Sequence, residues 1–431
     1  MSNIMLESLY LHNFKSFYNS KFEFGKLNCL IAPNNTGKSN LIDALKFLNT
    51  LLYQDMVQAF AKLGFSNIQN YHHLDDNNLK LQARFRIQNQ VLVGKELFEY
   101  DVSLRFLFSY DFKDKKPNTD VLIEGKMKSV IVDAADLKRG FELRVFGDFG
   151  HYIDSFDSYN RLLEQKHFQK FSLQYNHNTF RYAIDHIASQ KGIDSIANLF
   201  GLAIQKRQVT LLKPMDFRLI FNKSSLFSSH YFHAHDIKKT QSFGETPDLL
   251  EDGRNLAQFL SSLDQNVFED IATSLIGEVE LINGLELNDG FMMMKNVVFT
   301  EEINGVHHPI EIQNVSDGTL HFIMIMSAIL GNRSSIGLLI EEPERHMHMK
   351  VLSYILNTMR DDDKQIFFTT HSTELLSQLN LDEILFMFRD YEGDTKGQRA
   401  EDIPNIKRFM KRYKNDLVEM IKFGVVGEYD E

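Results

Sequence analysis

Near the start of the chain, Leu27-Asn28-Cys29-Leu30-Ile31 forms a short apolar run of β character, followed by the polar turn Ala32-Pro33-Asn34-Asn35-Thr36-Gly37-Lys38-Ser39-Asn40. Leu41, Leu45, Leu48 and Leu52 then recur at helical spacing. This strand–loop–helix order predicts a phosphate-binding loop, because the N–H groups of a tight turn and of a helix N-terminus offer partial positive charge to phosphate oxygens. Asn34, Asn35, Thr36, Gly37, Lys38, Ser39 and Asn40 are the candidate nucleotide ligands. Lys38 would reach the β- and γ-phosphates, and the Ser39 hydroxyl would hold Mg²⁺. Ala32 stands where the pattern usually has its first glycine, which questions the loop's geometry, since alanine tolerates positive φ poorly.

With 431 residues, 43% of them hydrophobic and 12% aromatic, the chain can fill two or three ordinary globular domains. A net charge of −11 argues against a protein that coats nucleic acid over its whole surface, while a local basic groove stays open. The start, Met1-Ser2-Asn3-Ile4-Met5-Leu6-Glu7, has no basic segment followed by an apolar one, and no run approaches the length of a membrane span. These features predict a soluble, cytoplasmic chain with no membrane partner. Cys29, the single cysteine, falls in the predicted strand and reads as a buried core thiol.

Residues 3–25 alternate in two runs and predict a hairpin leading into the Leu27 strand, with Lys15 read as a turn residue. Three β-rich runs between 80 and 133 predict an antiparallel sheet. Residues 151–285, rich in His and Phe, are read as an inserted, mainly helical lobe, which divides the chain into 1–150, 151–285 and 286–431. Asp252-Gly253 predicts a turn before an amphipathic helix, and Asn304-Gly305 predicts a hairpin turn. Val315-Ser316-Asp317-Gly318-Thr319 opens a helix that is apolar nearly all round.

Two further apolar strands end in chemistry-bearing residues: Ile336–Ile340 runs into Glu341-Glu342-Pro343-Glu344, and Gln365–Thr370 into His371-Ser372. A helix between them makes the unit βαβ-like, and such sheets gather ligands at the C-terminal ends of their strands. Glu341 suits the Mg²⁺ shell and Glu342 the base that orients the attacking water. The plainer alternative is a helix N-terminus enriched in acid, with Pro343 in its first turn. His371 could contact the γ-phosphate or the water. His230, His233, His235 and Asp236 lack the paired cysteines or His-x₃-His spacing of a metal site. Asp361-Asp362-Asp363 reads as a solvated turn.

Taken in order, Asn13–Phe17, the phosphate loop, Asp252–Leu256, Val315–Thr319, Glu342-Pro343-Glu344 with His348, and Thr370-His371-Ser372 resemble the ABC-type ATPases of the RecF/SMC/OLD group. The chain resembles specifically their small bacterial AAA-type members, which include the ATPase subunits of the Septu and PARIS anti-phage systems. This resemblance implies an α/β fold, an ABC-type P-loop ATPase head with an antiparallel β lobe and the inserted lobe.

The resemblance further implies ATP and Mg²⁺ as cofactors, Glu342 as catalytic base, His371 as switch histidine, and Ser316 and Gly318 acting on nucleotide held by a second copy, so that a homodimer or higher oligomer is the working unit. Family members usually carry Asp at the position of Glu341, which together with Ala32 suggests slow hydrolysis. Gln69 is a weak candidate for the Mg²⁺-sensing glutamine. The 60 residues after His371 are too few for the TOPRIM nuclease domain of OLD-type proteins. The expected function is therefore an ATP-hydrolysing subunit that senses infection, through nucleic acid or a phage protein, and controls a separate effector such as a nuclease. The alternatives are a RecF-like DNA-maintenance ATPase and a nucleotide-dependent scaffold. The basic stretch from Lys407 to Lys422 is a solvated helix face or a contact to the effector or to nucleic acid.

Overall fold

Every second residue from Leu79 to Ile87 is buried while Lys80, Gln82, Arg84 and Arg86 are not, the period-two pattern of a strand with one face on a core. Across the ladder, Leu81 faces Phe108, Ala83 faces Phe106 and Phe85 faces Leu104, so the apolar face continues strand to strand. A computed structural model describes residues 3–33, 35–54, 56–93, 96–131, 143–145, 151–153, 169–176, 179–185, 202–205, 208–211, 225–232, 234–239, 248–289, 295–404 and 406. The chain divides into two units, Met1–Glu23 with Thr50–Lys223, and Phe24–Asn49 with Ser224–Glu431.

The first unit is an antiparallel sheet whose strands lie in the order Thr179–Asp185, Gln169–Asn176, Lys116–Ile131, Glu96–Asp111, Asn78–Val93, Asn3–His12 and Ser20–Glu23. The N-terminal hairpin and the sheet after residue 80 are as expected. The helical reading of 151–285 needs correction. Between 151 and 223 the described residues are strands, among them Gln169–Asn176, Thr179–Asp185, Leu202–Gln205 and Gln208–Leu211. Helices come later, at Ala234–Lys239, Leu256–Ser262 and Gln265–Glu278, in the second unit. The signal was legible: Phe171, Leu173 and Tyr175 alternate, as do Phe180, Tyr182 and Ile184.

The second unit carries a six-stranded sheet in the order Ser225–His230, Ser335–Glu341, Gln365–Thr369, Leu27–Ile31, Ile384–Arg389 and Thr395–Arg399. The first five are parallel and the last is antiparallel to its neighbour. Leu27–Ile31 and Gln365–Thr369 are buried along their whole length, which is why both are predominantly apolar; the polar members Asn28 and Gln365 are hydrogen-bonded to the Gly25 carbonyl. Register sets Glu341 beside Thr369 and Thr369 beside Leu30, so the ends bearing Glu341, His371 and the phosphate loop fall at one edge of the sheet. A three-stranded antiparallel sheet, Ile282–Asp289, Lys295–Ile303 and Val306–Glu311, turns at Asn304 and Gly305, both at positive φ (56° and 79°) as a type I′ hairpin requires. The helix Asp317–Met326 is buried at eight consecutive positions from Thr319, in the core that Leu27, Leu338, Ile366 and Phe386 share.

One polar anchor ties the helix Met349–Asp361 to the turn before Ile384–Arg389. Arg360 donates from Nε to Glu383 Oε1 and from Nη2 to Glu383 Oε2, both at 2.7 Å, and Asn380 N–H donates to Oε2. Burial pushes the Glu383 carboxyl up, but Arg360 and the Asn380 N–H outweigh it and leave the group below its ordinary value of 4.5. Glu383→Gln is expected to cost about 2 kcal/mol near neutrality. Because the folded value is depressed, this stabilisation is full above 4.5 and is lost as pH falls through the folded value. Denaturant melts of wild type and variant across that range should converge in acid; a gap independent of pH would contradict the ion pair's part in it.

Candidate active site

The phosphate loop takes its shape from two residues at positive φ, Asn35 (62°) and Gly37 (113°). Ala32 is not among them, so its Cβ imposes no backbone strain and the question raised by the missing glycine resolves in the loop's favour. Gly37 O accepts from Leu41 N–H at 3.0 Å as the helix Lys38–Tyr53 begins. The hairpin 384–399 tethers the loop: Arg389 donates from Nε and Nη2 to the Asn35 carbonyl (3.2 and 2.7 Å), and Thr395 Oγ1 donates to the Thr36 carbonyl at 2.5 Å. A peptide's carbonyl and N–H point opposite ways, so fixing the Thr36 carbonyl turns the Gly37 N–H away from the hairpin. Lys38 Nζ donates to the Ala32 carbonyl at 2.8 Å. Burial lowers the pKa of this ammonium, while Cys29 and Glu342 pull it back up. Cys29 is fully buried, as expected, and burial raises its thiol well above the ordinary value.

The two glutamates at the end of Ser335–Glu341 part company. Glu341 is pushed up chiefly by burial; Lys46 opposes this, and the carboxylates of Glu251, Glu342 and Asp43 add to it. Lys46, on the phosphate-loop helix, pairs with Glu251 at 2.5 Å. Glu342 turns out of the strand at φ 48°, its N–H donating to Thr369 O at 3.1 Å. Its Oε2 accepts from Arg345 Nε at 2.5 Å, and its Oε1 lies 3.9 Å from His371 Nε2. The macrodipole explanation for these acids falls away, because the helix begins only at Met349, with His348 as its cap, and Pro343 lies in an irregular loop.

His371 is half exposed, and its backbone N–H donates to Glu344 Oε1 at 2.8 Å, which fixes the histidine turn to the glutamate loop. Ser316, an exposed residue, caps its helix by accepting the Thr319 N–H at 3.1 Å, and its hydroxyl lies 2.7 Å from Thr319 Oγ1. A Cβ at Gly318 would stand 2.4 Å from the His346 carbonyl oxygen, so the glycine is required by close approach within this chain.

Hydroxyl and carboxylate oxygens from Ser39 and Glu341, with surplus negative charge around Glu341, are the hard donors that Mg²⁺ prefers. Among the described residues the one tight acidic cluster is elsewhere, Asp390, Glu392 and Asp394. There Asp390 Oδ1 accepts the N–H groups of Glu392 and Asp394 and Oδ2 pairs with Lys396, so the cluster closes a hairpin turn. His230 is a core residue, bonded to Ser228 Oγ and held neutral by burial, with a pKa of about 4. Gln69, in the first unit, donates its amide to the Asp76 carbonyl at 3.0 Å. Asn34, His233 and the basic stretch 407–422 lie outside the described residues. Sequence reading missed Arg389 and Thr395, which no local pattern marks, and the Arg345–Tyr231 pair, whose members are 114 positions apart.

Residues 139–377, more than half of the chain, match the family described as "AAA domain, putative AbiEii toxin, Type IV TA system", and residues 8–166 match another described as "AAA domain". A Helicobacter pylori protein described as an "ATP/GTP phosphatase" is 29% identical over 141 residues, covering 27% of this chain and 38% of that protein, so well under half of this curated relative is matched. Similar solved structures include the SMC head domain from Thermotoga maritima (12% identity, 91% of this chain and 98% of that one, TM-score 0.41) and the recombination mediator RecF (14%, 92% and 98%, TM-score 0.34). With a phosphate loop, an acidic strand end and a histidine strand end on one parallel sheet, the chain belongs to the AAA-domain family of the putative AbiEii toxins.

Proposed function

We propose that this chain binds and hydrolyses ATP as a subunit that assembles with further copies of itself and, in that assembled state, controls a separate effector, a nuclease being the class favoured, in cytoplasmic defence against phage. The observation that carries the catalytic part is the meeting of Lys38, Glu342 and His371 at neighbouring strand ends, with Glu342 near enough to act on the Lys38 charge. The loop N–H groups and Lys38 would hold the β- and γ-phosphates, and Ser39 and Glu341 would hold Mg²⁺, which neutralises charge on the phosphate oxygens. Water would give its proton to the Glu342 carboxylate as its oxygen bonds to the γ-phosphorus and the bond to the bridging oxygen breaks, releasing ADP. Ser316 and Gly318 would reach the γ-phosphate held by another copy, and His371 would follow its loss. The defence role draws on the family's toxin–antitoxin description and on the resemblance to anti-phage subunits. No helix among the described residues is long and apolar enough to cross a membrane.

Mass photometry of the full chain with and without ATP, together with phosphate release, tests this reading. ATP is expected to shift the protein from monomer to dimer or larger and to be hydrolysed slowly. Assembly indifferent to ATP, with no phosphate released, would favour the scaffold reading instead.

A further inference from the structure

We propose that Arg345, held in place by Tyr231, is a latch that occupies one oxygen of the Glu342 carboxylate and so limits the rate of ATP hydrolysis. The latch rests on the reading of Glu342 as the base. Three contacts define it: Arg345 Nε donates to Glu342 Oε2 at 2.5 Å, Arg345 Nη2 donates to the Tyr231 hydroxyl at 2.8 Å, and the guanidinium carbon lies 4.8 Å from the centre of the Tyr231 ring. Tyr231 is itself anchored, its N–H donating to the Glu251 carbonyl at 2.9 Å at the end of the strand Ser225–His230. The guanidinium is therefore held at Nη2 and along one face while its Nε donates to the glutamate.

A carboxylate oxygen that accepts from a guanidinium cannot accept water's proton at the same lone pair. The other oxygen, Oε1, looks towards His371. Side chains of both partners are close to 30% exposed, so the pair adds little to stability and its effect belongs on the rate.

The loop that carries the latch also carries its release. Glu342 and His346 both stand at positive φ, 48° and 59°, in the irregular stretch between strand and helix. Two of its carbonyls rest on the helix opened by Ser316: Glu342 O lies 3.4 Å from His321 Nε2, and His346 O closes on Gly318 with no room for a Cβ. A shift of Ser316 and Gly318 on meeting another copy's nucleotide would move the loop that carries both Glu342 and Arg345, whose backbones are joined by the Arg345 N–H on the Glu342 carbonyl, against a guanidinium that Tyr231 holds from a separate strand. Hydrolysis in one copy is thereby made to wait on assembly.

Steady-state phosphate release over an ATP series, on full-length wild type, Arg345→Ala, Arg345→Lys, Tyr231→Phe and Glu342→Gln, decides the matter. Arg345→Ala is expected to raise kcat roughly threefold to tenfold with KM little changed, the size of one partly solvent-screened, charge-assisted contact. Arg345→Lys should lie between the alanine variant and wild type. Tyr231→Phe, which loses only the hydroxyl and keeps the ring, should give a rise of about twofold. If Arg345→Ala melts early, Tyr231→Phe carries the test. Loss of turnover in Glu342→Gln, with Arg345→Ala and Tyr231→Phe no faster than wild type, overturns the latch and leaves the base standing. Unchanged turnover in Glu342→Gln overturns the base, and the latch with it.

Discussion

Lys38→Ala is expected to weaken ATP binding by about a hundredfold or more and to abolish phosphate release. In the structure its ammonium donates to the Ala32 carbonyl and is already desolvated enough for its pKa to fall. The energetic cost of stripping water from that charge is thus borne by the folded protein before any phosphate arrives, and a polyanion recovers it as a direct contact. Alanine removes the contact and leaves the loop standing, because Asn35 and Thr36 are tethered independently by Arg389 and Thr395. Titration of a fluorescent ATP analogue measures the loss, and an unchanged melting curve without nucleotide separates it from misfolding. Affinity within threefold of wild type would remove this loop from the nucleotide site. On the proposed defence role, the same variant is expected to lose protection against phage in the host strain.

Glu342→Gln is expected to lower kcat by between about a hundredfold and ten-thousandfold while ATP still binds, the range of a general base removed without change of shape. Glutamine keeps the length of the side chain, and the backbone bond from residue 342 N–H to Thr369 O does not depend on the carboxylate, so the loop geometry survives. On the proposed assembly by ATP, oligomers of this variant should accumulate, since their nucleotide would not be consumed. Single-turnover phosphate release beside mass photometry reads both consequences. Turnover at the wild-type rate would assign the proton transfer to another group, with His371, 3.9 Å away, the next to examine.

Several elements were legible from the sequence because their signals are local. The Leu27 strand, the loop and the Leu41–Leu52 spacing lie within 30 consecutive residues, Asn304-Gly305 specifies its hairpin by dihedral preference, and Ser316 sits three residues before the N–H it caps. Buried parallel strands announce themselves as predominantly apolar runs, and their C-terminal ends are where chemistry collects. The antiparallel strands between 169 and 185 carried a local signal of another kind, alternation, and were misread, that alternation being masked by a His- and Phe-rich composition. The reading of Pro343 as a helical first turn failed because proline suits a loop as well as it suits a helix start, and here the loop continues to His348.

By itself, then, the sequence determined the presence and order of the phosphate loop, the capped helix and the two strands ending in Glu341-Glu342 and His371, each of which depends on neighbours a few residues away. Tertiary structure alone decided which glutamate turns towards which partner. Glu341 stays at the strand end among Lys46, Glu251 and Asp43, whereas Glu342 leaves it at positive φ to meet Arg345 and His371. Lys46 and Asp43 reach Glu341, and Tyr231 reaches Arg345, from more than a hundred residues away, and the register of the parallel sheet brings such segments together.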